Sequence, residues 1–148
     1  MWNAEKSAKL SLYLTDAILV LIAAMAVCLP RLVGWYVAVT SRHAHMQTTI
    51  ITVCYVCLPA VLILLYSLRR LLKNIMKQKI FISQNVRWLR TLSWCCVAVS
   101  IITLVAGYFY LPFYIVGIAA GFFSLILRII KNVFNAAIDI KAENELTI

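Results

Sequence analysis

The chain has 148 residues, of which 64% are hydrophobic and only 13% charged. Soluble domains run at about 45–50% apolar and about 25% charged, so a soluble globular domain is excluded, as are a disulfide scaffold, collagen and intrinsic disorder. A net charge of +9, from 14 Lys+Arg against 5 Asp+Glu, leaves nucleic acid or a membrane surface as the reason for the imbalance, and position decides between them.

The first apolar stretch runs from Leu10 to Leu29, closed by Pro30 and Arg31, with Thr15 and Asp16 its only strongly polar members. Lys6 and Lys9 imitate the start of a signal peptide, but some 20 residues is too long for its apolar core and no small-residue cleavage site follows. Met25-Ala26-Val27 before Cys28 also lacks the small residue of a lipoprotein cut. The reading is an uncleaved helix. The second stretch is Thr48 to Leu68, where Pro59 removes one backbone hydrogen bond and predicts a bend. The third runs from about Leu92 to Gly107. The segment Gly107-Tyr-Phe-Tyr-Leu-Pro-Phe-Tyr114 then supplies a turn with interfacial aromatics, and a fourth helix runs from about Tyr114 to Ile130. The predicted fold is all-α: a single integral membrane domain, a four-helix bundle.

Counting Lys and Arg per connection orients it. With both termini inside, 12 of the 14 positive residues are cytoplasmic, and Arg31 and Arg42 alone lie outside. The charge therefore reports orientation, not direct nucleic-acid binding. Segment 69–91 carries seven positive residues and no acid. Leu68, Leu71, Leu72, Ile75 and Met76 recur at helical spacing opposite Arg69, Arg70, Lys73 and Lys77, predicting an amphipathic cytoplasmic helix, suited to anionic lipid, that continues the second span or lies in the interface. Residues 81–85 interrupt it, with Ser83 as N-cap of the helix leading into the third span. In the cytoplasmic tail 131–148, Ile130, Val133, Phe134, Ala137 and Ile138 continue a helical stripe. Three of the five acids, Asp139, Glu143 and Glu145, lie there too. This acidic helix would pack on the basic 69–81 helix, bind a cytoplasmic partner, or do both in turn.

Asp16 is the costliest residue to place in a bilayer: a carboxylate paired with Arg69 or Arg128, or else an ion or proton path in a small transporter or resistance protein. Cysteines 28, 54, 57, 95 and 96 all fall within or at the edges of spans and read as small apolar side chains, despite the C-x-x-C spacing of Cys54 and Cys57. His43 and His45 are too few for a metal site. No catalytic constellation and no cofactor motif is present, so an enzyme is not expected. Gly117 and Gly121, with Ser124 on the same face, form a small-residue stripe for packing inside the bundle or, alternatively, for a homodimer or an accessory-subunit contact.

Three features then converge: Lys79-Ile-Phe81-Ile-Ser83-Gln-Asn85-Val-Arg-Trp-Leu89-Arg90, the span led by Trp94, and the ending Glu143-Asn144-Glu145-Leu146-Thr147-Ile148. With them the chain resembles, over essentially its whole length, the YoaS-like family of small four-span bacterial membrane proteins of unassigned function. Glu145 stands where Asp is commoner, and Ile80 where Pro often stands. Members are often encoded beside a small helix-turn-helix regulator. The resemblance thus implies a bacterial plasma-membrane protein that sequesters such a regulator through its C-terminal motif. The expected docking face is residues 139–148 (Asp139, Glu143, Asn144, Glu145, Leu146 and Ile148) with the 69–90 segment, including Phe81 and Asn85.

Overall fold

Four long helices make up nearly all of the computed structural model, which describes residues 4–40, 44–77, 80 and 82–146, except for the side chains of 4–6, 8, 44, 145 and 146. They are α1 (Ala4–Val39), α2 (Ala44–Met76), α3 (Ser83–Ala106) and α4 (Pro112–Leu146). All four are long and apolar enough to cross a membrane, which makes this a multi-pass membrane protein. In hydrocarbon every backbone group must find a partner within the chain, and long uninterrupted helices meet that demand. At 1.5 Å per residue α1, α2 and α4 reach about 50 Å or more, well beyond the roughly 30 Å of a hydrocarbon core.

Two prolines behave differently from the sequence reading. Pro30 does not close α1 but lies inside it, followed by nine more helical residues. Its missing N–H leaves the carbonyl of Ala26 without a helical donor, and the Tyr55 hydroxyl of α2 supplies one at 2.9 Å. Pro112, expected in the turn, is the first residue of α4, where proline sacrifices no helical hydrogen bond. Ser83 likewise opens α3 instead of capping it. The N-cap is Ile82, in extended conformation with no side-chain cap.

The helices pack as a sequential row: α1 on α2, α2 on α3, α3 on α4, and no other pair brings its backbones within 8 Å among the described residues. The expected bundle is therefore open between α1 and α4. Small and weakly polar side chains explain where the row is tightest. The buried positions of α3 (Asn85, Val86, Leu89, Leu92, Ser93, Cys96, Ser100, Thr103, Ala106) recur at intervals of three and four along one side, the spacing of left-handed helix pairing. In contrast, α1 and α4 expose large apolar residues such as Val20, Val27, Ile115 and Ile118, a surface suited to lipid. At the end carrying the α3–α4 turn, the hydroxyls of Tyr36 and Tyr110 meet at 2.8 Å. At the opposite end, where most Lys and Arg gather, Leu71, Leu89 and Leu92 form a buried cluster joined by Leu68, Ile75, Trp88, Leu127 and Phe134.

Candidate functional site

The amphipathic segment after the second span is not a separate element, because α2 runs unbroken to Met76. Its apolar face is used internally: Leu71 is buried against α3, while Arg70, Lys73 and Lys77 face outward. The chain then reverses through residues 77–82, and Asn85 fastens this reversal. Its amide donates to the Ile80 carbonyl at 2.7 Å, and its Oδ1 accepts from Asn74 at 2.8 Å. Asn85 is fully buried. It is therefore not available as the partner contact expected of the docking face. It is the polar pin that holds α2 against α3, with both ends of its amide satisfied. Asn74, overlooked in the sequence, was detectable as one polar residue close to the apolar stripe of Leu71 and Ile75.

Asp16 is paired. Arg69 Nη2 donates to Oδ2 at 3.1 Å, and Nε lies 2.7 Å from Oδ1. The Nε contact is ionic, its N–H not being directed at the carboxylate. Of the two expected partners it is thus Arg69 that meets Asp16, which joins α1 to α2. The side chains of Arg69 and Asp16 are 40% and 39% exposed, so the pair sits at a surface and not in the core. Arg128 instead lies over the Trp94 ring, 5.9 Å from its centroid.

Among the described residues the backbones of α2 and α4 do not come within 8 Å of each other, and the tail of α4 reaches the basic segment through Phe134, which packs on the cluster containing Leu71. The short turn at 107–111 makes α3 and α4 antiparallel neighbours, so the continuation of α4 runs beside the start of α3, and Phe134 joins the Leu71–Leu89–Leu92 cluster. Asp139, Glu143 and Asn144 are exposed on this continuation. Asp139 and Glu143, four residues apart, share one helix face. The side chains of Glu145 and Leu146, and the whole of Phe81 and Ile148, lie outside the described residues.

Gly117 and Gly121 pack within the row. Ser100 of α3 donates to the Gly117 carbonyl at 2.7 Å, and Ser93 donates to the Ser124 carbonyl at 3.1 Å. A Cβ on Gly117 would stand 2.7 Å from Leu104 Cγ, so close approach of α3 and α4 requires glycine there. The five cysteines are free thiols. His45 is exposed near the start of α2, while His43 lies outside the described residues. Among the described residues no three of His, Cys, Asp and Glu come together in a way that could hold a metal ion.

The model of a family described as "Protein of unknown function (DUF2975)" matches residues 31–148, and the chain belongs to that family. The match takes in α2, α3, α4 and the end of α1, whereas the expected resemblance extends to the first 30 residues as well. No curated protein and no solved structure matches the chain.

Proposed function

We propose that this member of the DUF2975 family is a non-enzymatic protein of the bacterial plasma membrane whose basic end is cytoplasmic and binds a cytoplasmic protein there. The partner we infer is a small helix-turn-helix transcription regulator, held at the membrane and away from DNA. The observation that carries the reading is the form of α4: past its apolar stretch it stays helical to Leu146 and anchored by Phe134 on the α2–α3 cluster, with Asp139 and Glu143 presented outward on one face. An acidic helical face of this kind complements the basic DNA-facing surface of such regulators. The count of 12 positive residues at one end supports the orientation. The pairing of Asp16 with Arg69 weighs against the alternative of a transporter built on a free intramembrane carboxylate.

The test is membrane co-fractionation of a co-expressed regulator. Removing residues 143–148, or introducing Asp139→Lys with Glu143→Lys, is expected to release the regulator to the soluble fraction while the membrane protein itself remains in place. A regulator that never co-fractionates with the intact protein overturns the reading.

A further inference from the structure

Between α3 and α4, a cavity of about 480 Å³ is lined by Arg90, Ser93, Trp94, Arg128, Lys131 and Asn132. Three cations share this one space and no carboxylate lines it. Among the described residues none of the three makes an ion pair. Gathering like charges costs self-repulsion, and elsewhere the chain relieves it, as Asp16 does for Arg69. Asp139 borders an adjoining hollow that shares Arg90, Lys131 and Asn132 but does not reach Arg128. The site is also shaped. The Trp94 ring holds the Arg128 guanidinium, and the Ser93 hydroxyl is turned into the helix interface, donating to the Ser124 carbonyl. Arg90, Arg128, Lys131 and the Asn132 amide are left as the donors facing the cavity.

We propose that this cavity binds the phosphate group of an anionic phospholipid headgroup. Two guanidinium forks and an ammonium are the donor set a phosphate takes, the forks bonding two oxygens at once. The depth points to a lipid as the source. Arg90 and Arg128 stand where the apolar lengths of α3 and α4 give way to charged sequence, the level of headgroups. Basic pockets between membrane helices at such a level are a recurring mode of headgroup capture. Trp94 is 59% exposed on the same surface, as interfacial tryptophans are. Ile101, seven residues along α3 from Trp94, and Leu125, three before Arg128 on α4, are also exposed. Helical periodicity puts them on the same faces, one or two turns deeper, as an apolar track for an acyl chain.

The full-length protein in detergent is titrated with dihexanoyl phosphatidylglycerol, dihexanoyl phosphatidylcholine and inorganic phosphate, reading the thermal unfolding midpoint. Phosphatidylglycerol is expected to stabilise the protein, and the other two to do so far less at equal concentration. Replacing all three cations (R90Q/R128Q/K131Q) is expected to weaken the apparent affinity roughly a hundredfold, since each contributes a share of the attraction. An equal charge reduction on α2 (R70Q/K73Q/K77Q) is expected to change it by no more than about threefold. Should the triple variant not fold, R128K, which keeps the charge but loses the fork, is expected to weaken binding about fivefold. Equal losses from the α2 and cavity variants, or no effect of phosphatidylglycerol, overturn the proposal. An inorganic-phosphate effect as large as that of phosphatidylglycerol overturns the lipid as source.

Discussion

The hydroxyl of Tyr55 on α2 donates to the backbone carbonyl of Ala26 on α1 at 2.9 Å, and Ala26 is the residue whose helical partner Pro30 takes away. One side chain thus repairs, from the neighbouring helix, the defect a proline makes. Tyr55→Phe should lower stability by about 1 kcal/mol, the worth of one hydrogen bond whose acceptor is otherwise stranded in apolar surroundings. Pro30→Ala restores the N–H that Ala26 lacks, so in that background Tyr55→Phe should cost close to nothing. A double-mutant cycle on detergent-unfolding midpoints checks this, and additive effects would show that the two residues are not coupled.

Asp16 and Arg69 tie α1 to α2 from opposite sides of the same contact. Asp16→Asn and Arg69→Gln should each destabilise the protein. The double variant should be less destabilised than the sum, by about 1–2 kcal/mol, between the value of an exposed pair and that of a buried one. Exchanging the charges, Asp16→Arg with Arg69→Asp, should recover part of the loss. A transport role for Asp16 requires more: loss of a transport or tolerance phenotype in Asp16→Asn that the charge exchange does not restore.

Asn85 sits where a single amide closes the reversal between α2 and α3. Asn85→Ala removes two hydrogen bonds and the side chain that fills the reversal. It leaves the Ile80 carbonyl with only the Ile82 N–H and the half-buried Asn74 amide without its acceptor, at a cost of about 2 kcal/mol. Asn74→Ala should cost less, because Asn85 keeps its bond to Ile80. Hydrogen exchange of residues 77–86, followed by mass spectrometry, should rise in both variants, more in Asn85→Ala. Unchanged protection would mean that the reversal is held by its apolar contacts alone.

The four helices were legible because apolar runs of about 20 residues have few other uses, and the Asp16–Arg69 pairing because a carboxylate in a span needs a cation nearby. What the sequence concealed depended on distant partners. Pro30 reads as a helix end until Tyr55, in the next helix, is seen to satisfy Ala26. Asn85 reads as an exposed motif residue, since nothing local reveals that Asn74 and Ile80 enclose it. The acidic tail reads as a mate for the basic segment by charge alone, but the short 107–111 turn lays α4 along α3, and its tail reaches the α2–α3 cluster through the apolar ring of Phe134. Arg90, Arg128 and Lys131 fall on two helices, and only their antiparallel alignment brings them to one cavity.

That alignment itself depends on glycine at position 117. Its position makes two demands: a missing side chain where Leu104 Cγ would lie 2.7 Å from a Cβ, and a carbonyl open to the Ser100 hydroxyl at 2.7 Å. Adding even one methyl must push Leu104 aside or separate the helices, and separation also stretches the Ser100 bond. Gly117→Ala should therefore destabilise by about 1–3 kcal/mol, the usual cost of overpacking, although alanine is the better helix former by about 1 kcal/mol. Leu104→Ala should rescue it, since it removes the atoms in the way. Gly121→Ala, where the nearest atom is the Ser100 hydroxyl at 3.1 Å, should be milder. Were the stripe instead a contact between two copies of the chain, Gly117→Leu would shift the oligomeric state on a detergent column before it lowered the unfolding midpoint. The geometry predicts the midpoint to fall with the oligomeric state unchanged.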